Sequence, residues 1–271
     1  MSSKLSPNPE QAMVIRELVP NVITTCSTPF LRFKRFKIGG RGTLVRMNNG
    51  SVAVFSPIAL TEEVKQKVAS MGEVKYITAL DFEHHMFLGP WNKEYPNAKV
   101  IGPEGLPEKR KKQGDEDVPF NVIFEASKNR ETRVDPEFDA EFDYEYVHAH
   151  SNKELVFNHK PTKTLIEADL IFNLPALEQH EKSGIDPNSG ILTKIFNSLM
   201  HTRGEALAQK RVIWYGTSAK DRNAFNDSMA RINAWDFERL IPCHGEVVEK
   251  DAKTVFQKIM QWHLEAARKS Q

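Results

Sequence analysis

Short apolar segments separated by polar turns run through the first part of the chain. The segments VPNVITTC, GTLVRM and SVAVF are rich in β-branched residues and are divided by Gly, Pro and Asn. This pattern is typical of antiparallel strands joined by short turns. The Asn48–Asn49–Gly50 stretch predicts a hairpin between the last two segments. Residues 1–12 are polar and lack periodicity, so we expect a loose leader there and a single domain over residues 13–271.

Apolar residues at helical spacing first occur over residues 62–71. Thr61 is a candidate N-cap for this helix, and Gly72 follows its end. The next segment, VKYITAL, predicts a buried strand that runs into a polar cluster at residues 81–85. The remainder predicts strands in NAKVIGP, YEYVHAH, ELVFNH, KTLIEADLIF and FERLIPCHGEV, and helices in KDRNAFNDSMARINAW and DAKTVFQKIMQWHLEAARKS, the last with Asp251 as N-cap.

Length and charge narrow the class of protein. At 271 residues, 40% of them hydrophobic, the chain can bury the core of one large domain. Its 37 Lys and Arg residues nearly cancel 36 Asp and Glu residues, which leaves a formal net charge of +1. This balance does not favour nucleic acid or a membrane as a partner, so we expect a small-molecule substrate. The basic residues 109–112 are followed at once by acidic residues, and we interpret this segment as a solvated face.

Cysteine usage and hydropathy bear on location. Cys26 and Cys243 are too few and too far apart for a disulfide framework or a thiolate zinc module, which favours a reducing compartment. The N-terminal segment lacks the apolar run of a secretion signal, and nowhere do about 18 consecutive apolar residues offer a membrane span. We therefore expect a cytoplasmic protein.

Residues of metal-ligand type follow predicted strands at four points. Zinc and iron sites need imidazoles and carboxylates on a rigid backbone, which strand ends provide. His84 and His85 are adjacent, so their side chains point in different directions and one of them is the expected ligand. His148 and His150 alternate on a predicted strand, so either one reaches the site. The four points are residues 81–85, residues 148–150, Asp169 within an apolar strand, and His244 before Gly245.

The order of these segments resembles the metallo-β-lactamase superfamily over nearly the whole chain from about residue 15. TLVRM, SVAVFSPIAL, a helix, GEVKYITAL, the histidine cluster, NAKVIGP, LIEADLIF and LIPCHG follow one another as they do in that superfamily. More narrowly, the chain resembles an uncharacterised subgroup with an altered first histidine motif. The resemblance implies an α/β fold of layered type, a four-layer αββα sandwich with a metal site at one edge of its two sheets.

The first motif departs from the superfamily hallmark, His-x-His-x-Asp-His. With the last histidine of the hallmark on His84, the other three positions hold Ala79, Asp81 and Glu83. Shifting the alignment to His85 places Leu80, Phe82 and His84 there instead. The first alignment is chemically better because Asp81 and Glu83 offer oxygen ligands. The resemblance further implies that His150 is the histidine of the third motif, Asp169 the carboxylate that bridges two metals, and His244 the final histidine.

The resemblance implies a metal-dependent hydrolase in which a metal-bound hydroxide attacks a small ester, lactone, thioester or related substrate. One or two zinc ions are expected, with iron and manganese as alternatives. Because Ala79 replaces a histidine, either a second ion is held weakly by oxygen ligands or only one ion remains; the alternative is a non-catalytic protein of the same fold that binds a ligand or a protein. The expected metal ligands are Asp81, His84, His85, His150, Asp169 and His244, and the expected catalytic carboxylates are Asp169 and Glu83.

Two segments are candidates for the rim of the substrate cleft. Residues 30–37 alternate aromatic and basic side chains, which suits either a mobile flap over the metal or a basic strand edge. Residues 174–202 are rich in Pro, Gly and polar residues and form a second candidate lid. Trp91 is expected to line the same cleft.

Overall fold

A seven-stranded sheet contains most of the N-terminal half of the chain in a computed structural model, which describes residues 8–128 and 130–270. The order across this sheet is β1-β2-β5-β6-β7-β8-β9. Neighbours are antiparallel from β1 to β6 and parallel from β6 to β9. The strands are β1 (Val14–Val19), β2 (Ile23–Thr28), β5 (Gly40–Arg46), β6 (Val52–Phe55), β7 (Val74–Thr78), β8 (Lys99–Pro103) and β9 (Phe120–Phe124), and a separate hairpin pairs β3 (Leu31–Arg32) with β4 (Phe36–Lys37).

A four-stranded sheet follows in the C-terminal half, again counted over the described residues. It runs in the order β10 (Phe142–Val147), β11 (Glu154–His159), β12 (Thr164–Ile166) and β13 (Arg239–Ile241). The first three strands are antiparallel, and β12 and β13 are parallel.

Helices cover the outer faces of both sheets. Thr61 caps the first long helix by accepting a hydrogen bond from the Val64 N–H, as its position in the sequence predicts. None of the helices in residues 8–128 and 130–270 has the length and apolar character needed to cross a membrane. The α-helices are α1 (Pro9–Ala12), α2 (Glu62–Met71), α3 (Leu88–Glu94), α4 (Leu106–Gln113), α5 (Pro136–Glu141), α6 (Ile191–Leu199), α7 (Leu207–Val212), α8 (Arg222–Ala234), α9 (Ala252–Ile259) and α10 (Gln261–Lys269).

Successive side chains of each strand point to opposite faces of its sheet, and the apolar ones form three hydrophobic layers. In β6, Val52 and Val54 pack on the side of α2, whereas Ala53 and Phe55 face the second sheet. In β11, Val156 belongs to the cluster that contains α8 and α9. The order of layers is therefore helix, sheet, sheet, helix, and the αββα sandwich predicted from the sequence is confirmed.

Several predicted boundaries need correction. Residues 1–7 of the expected leader lie outside the described residues, but residues 9–12 form a short helix whose Ala12 is fully buried. The predicted C-terminal helix is two helices that meet at Met260. Asp251 precedes the first of them with a φ of 56° and makes no side-chain capping bond. The hairpin at residues 48–50 is confirmed.

Candidate metal centre

Three chain segments meet where strands of the two sheets end. The loop after β7 carries Asp81 and His84, the loop after β12 carries Asp169, and the loop after β13 carries His244. Because the strands hold the start of each loop in the core, the polar side chains that follow are placed with little freedom. The sequence therefore brings distant residues to one edge of the sandwich.

His84, Asp169 and His244 form a cluster whose ligand atoms all lie within 4.8 Å of one another. The Nε2 atoms of His84 and His244 are 3.1 Å apart, and Asp169 Oδ1 lies 3.3 Å from His244 Nε2. The side chains of His244 and Asp169 are only 3% and 6% exposed. Two atoms that each lie about 2.0–2.1 Å from a tetrahedral zinc ion are separated by about 3.3 Å, so the spacing of this cluster fits an ion bound between its members.

The Nδ1 atoms of His84 and His244, on the far side of each ring from the cluster, have fixed partners. His84 Nδ1 lies 2.8 Å from Asp81 Oδ1, and His244 Nδ1 donates to the Gly39 carbonyl at 2.7 Å. A neutral imidazole that donates from Nδ1 presents a lone pair at Nε2. Such outer partners fix the tautomer of histidines that bind metals. Two lone pairs and a carboxylate oxygen therefore converge, an arrangement that needs a cation or a proton between them.

A proton on His84 can take the place of a cation in this cluster. Burial opposes a charge on His84, but the carboxylates of Asp81 and Asp169 outweigh burial and raise its pKa to about 9. Burial also tends to raise the pKa of Asp169, yet the nearby histidines hold it well below the ordinary value for aspartate. A cationic His84 and an anionic Asp169 thus share the pocket when no ion is bound.

Backbone hydrogen bonds fix Asp169 in place. Glu154 accepts from the N–H groups of Ala168 (2.8 Å), Asp169 (3.0 Å) and Leu170 (3.3 Å). Asn152 Nδ2 donates to Asp169 Oδ2 at 2.7 Å, which leaves Oδ1 facing His244. Burial raises the pKa of Glu154 well above its ordinary value, with a further contribution from Glu167. Glu154 therefore acts as a positioning residue beneath the site.

Arg41 and Gln179 clamp the loop that carries His244. The fully buried Arg41 donates from Nη1 to the carbonyls of Pro242 and Gly245, both at 2.7 Å. Gln179 donates to the Cys243 carbonyl and accepts from the Gly245 N–H, each at 2.8 Å. Gly245 has a φ of 91°, and a Cβ there would lie 2.2 Å from the Asn173 carbonyl oxygen.

Sequence reasoning did not find Arg41, Gln179 or Glu154. The signal for Arg41 is an arginine between two glycines at the start of a predicted strand, because a charged residue that is buried there needs a partner. Gln179 and Glu154 have no comparable signal, since their contacts form only in the folded chain.

Asp81 and His150 lie beside the cluster and are not members of it. Asp81 Oδ1 accepts from the N–H groups of Glu83 and His84 and pairs with the His84 ring, so it supports His84 rather than facing the other ligands. His150 Nδ1 accepts from the Asn152 N–H at 3.1 Å. A neutral ring that accepts at Nδ1 carries its proton on Nε2, which here lies 3.5 Å from Glu154 Oε2. Burial lowers the pKa of His150, which keeps the ring neutral.

His85 turns away from the cluster, which corrects its place among the expected ligands. Arg110 donates from Nη1 to both the Nδ1 atom and the carbonyl of His85. Burial and the cations Lys109 and Arg110 lower the pKa of His85 to about 4. His84 is thus the residue of the pair that the fold places in the cluster.

The predicted strand context of three other residues is also wrong. His148 and His150 follow the end of β10 at Val147 instead of alternating on a strand. Asp169 follows β12, which ends at Ile166, because Glu154 takes the amide groups that a sheet partner would have used.

Trp91 is fully buried and donates to the Ile58 carbonyl at 2.6 Å, so it supports the wall of the cleft without lining it.

A mostly apolar cleft of about 70 Å³ opens beside the cluster. Glu83 stands in its wall and pairs with Lys109 at 3.1 Å. The β3–β4 hairpin contributes to the wall, which agrees with the prediction that residues 30–37 belong to the rim. The lining residues include Thr28, Phe30, Arg32, Arg41, Ser56, Pro57, Ile58, Glu83, His84, Met86, Phe87 and His244.

Comparisons with known proteins agree with this architecture. A family model described as Domain of unknown function (DUF4336) matches residues 34–211. The DIM-1 metallo-β-lactamase is 12% identical with a TM-score of 0.55 over 94% of this chain and 98% of that one. A metallo-β-lactamase from Pontibacter korlensis is 11% identical with a TM-score of 0.57 over 92% and 99% of the two chains. A search of curated proteins finds no match.

A third similar structure belongs to a different kind of protein. A mutant flavo di-iron protein from Thermotoga maritima is 12% identical with a TM-score of 0.55, and the match covers 93% of this chain but 62% of that one. Likeness at such low identity concerns the fold alone. The chain has the metallo-β-lactamase fold, as the order of its segments predicts.

Proposed function

Because the chain belongs to the family described as Domain of unknown function (DUF4336), which assigns no activity, we propose a function from the chain's own residues. The protein is a metal-dependent hydrolase of a small ester, lactone, thioester or related substrate, and it holds one divalent ion. The observation that carries this proposal is the convergence of His84 Nε2, Asp169 Oδ1 and His244 Nε2 within 4.8 Å.

The donor set suits an ion of the zinc type, with iron and manganese as alternatives. Two imidazole nitrogens and one carboxylate oxygen are common ligands of zinc and iron, and three protein ligands leave a position free, as in catalytic sites. Asp169 Oδ1 is buried and makes no hydrogen bond within the described part of the chain, so its lone pairs are available. His84, Asp169 and His244 would hold the ion.

A second ion finds fewer ligands in this chain. Ala79 stands where the superfamily hallmark has its leading histidine, and it is fully buried in the apolar layer between the first sheet and its helices. Asp81 is engaged with His84 through Oδ1 only, and His150, which accepts at Nδ1, carries its proton on Nε2. Asp81 Oδ2 and His150 Nε2 are both buried without a hydrogen-bond partner in the described part of the chain, but neither belongs to the cluster of converging ligand atoms. A single ion is therefore the occupancy that we propose.

The residues around the cluster have separable roles in such a reaction. When bound, a divalent ion supplies Lewis acidity that polarises a carbonyl group and lowers the pKa of a water molecule. Asp81 and the Gly39 carbonyl orient the two imidazoles, and Asn152 orients Asp169. The apolar wall of the cleft would exclude bulk water and receive the hydrocarbon part of a substrate. Glu83, in the wall and paired with Lys109, is placed to exchange protons with a leaving group.

A non-catalytic ligand-binding protein of the same fold is the second candidate. Ala79 favours it, because this residue stands where the superfamily hallmark has its leading histidine and cannot bind a metal. Metal content separates the two candidates, since the hydrolase requires a bound ion. Retained metal without hydrolysis of any ester, lactone or thioester would favour ligand binding through the ion.

We expect metal removal to destabilise the protein and to stop hydrolysis. An ion at about 100 times its Kd stabilises the folded state by about 2.7 kcal/mol, so a chelator should lower the Tm by several degrees. The measurement combines elemental analysis of protein purified with added zinc, thermal melting with and without chelator, and hydrolysis of chromogenic esters, lactones and thioesters. Absence of bound metal together with an unchanged Tm would overturn the proposal.

Replacing the two adjacent histidines should have opposite results. We expect His84→Ala to lose bound metal, because the ring presents its Nε2 to His244 at 3.1 Å. His85→Ala should keep its metal, because that ring contacts Arg110 instead. Elemental analysis of both variants checks this, and His85→Ala serves as the matched control. Loss of metal from His85→Ala but not from His84→Ala would show that the assignment is reversed.

A further inference from the structure

Helix α6 exposes four of its apolar side chains and buries two polar ones. Ile191 is 78% exposed and Ile195 is 52% exposed, whereas Thr193 and Asn197 are buried. A surface helix ordinarily shows the reverse arrangement. Within residues 8–128 and 130–270, nothing covers this apolar face, whose members are Ile191, Leu192, Ile195 and Leu199.

Specific hydrogen bonds hold the helix in this orientation. Thr193 Oγ1 donates to the Arg35 carbonyl at 3.2 Å and accepts from the Lys37 N–H at 3.5 Å. Asn197 Nδ2 donates to the Pro187 carbonyl at 3.0 Å. Turning the apolar side inward would break all three bonds and place the Thr193 and Asn197 side chains, which are now buried, in solvent. The exposure of the apolar face is therefore built into the fold.

The β3–β4 hairpin extends the apolar face. Phe33 lies at the hairpin tip with a φ of 51° and is 72% exposed. Its ring is 6.4 Å from Phe36, which in turn packs 5.3 Å from Phe196 on α6. We call Phe33 together with the exposed apolar residues of α6 the hairpin–α6 surface. Monomeric proteins seldom expose continuous apolar surface of this kind unless it binds something.

Cations surround this surface, and acidic residues are absent from both segments that form it. The sequence has no Asp or Glu between Glu17 and Glu62, or between Asp186 and Glu205. The guanidinium of Arg32 lies 5.3 Å from the centre of the Phe33 ring. Lys34 and Arg35 on the hairpin and Lys194 on α6 are exposed. A partner that complements the surface must therefore offer both hydrocarbon and negative charge.

We propose that the hairpin–α6 surface docks on an anionic lipid bilayer. Exposed aromatic and aliphatic side chains flanked by Lys and Arg are what binds proteins to the interface of such membranes. Phe33 and the aliphatic residues of α6 enter the acyl boundary, and Lys34, Arg35 and Lys194 contact the headgroups. A second copy of the chain is a poorer partner, because a two-fold contact would place these cations against one another.

This inference revises the expectation that a membrane is not a partner. The net charge of +1 sums over the whole chain, so acidic residues elsewhere conceal a local excess of cations. Docking does not depend on the proposed hydrolysis, because none of the groups involved is a metal ligand.

Vesicle sedimentation tests the proposal. We expect the full chain to bind phosphatidylcholine vesicles that contain phosphatidylserine and to bind pure phosphatidylcholine vesicles much more weakly. Each cation near an anionic surface contributes about fivefold in affinity, so Lys34→Gln with Arg35→Gln should weaken binding by about 25-fold. Phe33→Ser should weaken it by about tenfold or more, because the ring no longer enters hydrocarbon.

Matched variants separate docking from unfolding. Lys111→Gln with Lys112→Gln removes two exposed cations from α4, and Phe33→Leu keeps an apolar tip, so both should bind like the parent. Thermal melting checks that every variant is folded. The proposal is overturned if the parent does not bind phosphatidylserine vesicles, or if the hairpin variants bind them equally well. Sedimentation velocity that shows a dimer lost in Phe33→Ser would instead assign the surface to a second copy and would also overturn it.

Discussion

Replacing Asp169 with asparagine is expected to abolish metal binding while the protein stays folded. The side chain keeps its size, and its Oδ1 can still accept the hydrogen bond from Asn152 Nδ2. What is lost is the negative charge beside His84 and His244. Loss of a residue that merely supports a ligand lowers metal affinity by about 10–100-fold, so loss of a ligand should exceed about 100-fold.

Metal affinity measured by competition with a chromogenic chelator checks this prediction. Asp227→Asn, which changes an exposed aspartate on α8, is the matched control and should bind metal like the parent. Hydrolysis of any substrate found for the parent should fall in parallel with metal content. Full metal content in Asp169→Asn would remove this residue from the site and would contradict the proposed set of three ligands.

The strands and layers could be predicted because they follow from the local pattern of apolar and polar residues. β6 alternates between two apolar layers, and α2 carries a cap at Thr61 and a glycine after its end. The orientations of His84 and His85 depend on more than pattern. The Asp81 carboxylate accepts hydrogen bonds from two backbone N–H groups of the loop, and in this loop conformation His84 faces His244.

The end of β12 was missed because apolar residues continue beyond the true boundary, at Ala168 and from Leu170 to Phe172. The strand ends at Ile166 because the amides of Ala168, Asp169 and Leu170 bond to Glu154, a residue of β11 that the sequence gives no reason to place there. The anchor of His244 is equally non-local, because Gly39 is 205 positions away in the chain. Contacts of this kind exist only once the two sheets have packed.

Replacing Arg41 with methionine is expected to give the largest loss of stability among the variants considered. The side chain is fully buried and donates to Ser27, Glu178 and the carbonyls of Pro242 and Gly245. Removing one partner of a buried ion pair costs up to about 3–5 kcal/mol. Here Glu178 keeps Arg16 and Ser27 as partners, while the two buried loop carbonyls lose their donor. Urea denaturation should show the loss as a lower midpoint with an unchanged slope.

The same change should also weaken metal binding, because Arg41 holds the loop on which His244 stands. We expect about 10–100-fold lower affinity, the range typical of residues that orient a ligand. Arg211→Met, at an exposed position on α7, should alter stability by less than about 0.5 kcal/mol.

Adding Glu178→Gln to Arg41→Met separates the two sources of the lost stability. If the double variant recovers most of the stability, the cost comes mainly from the Glu178 carboxylate, which keeps only Arg16 and Ser27 as side-chain partners. If it does not, the cost comes mainly from the unsatisfied loop carbonyls. An Arg41→Met protein within about 1 kcal/mol of the parent, with unaltered metal affinity, would contradict the proposed clamp, since each buried carbonyl that loses its donor alone costs about 1–3 kcal/mol.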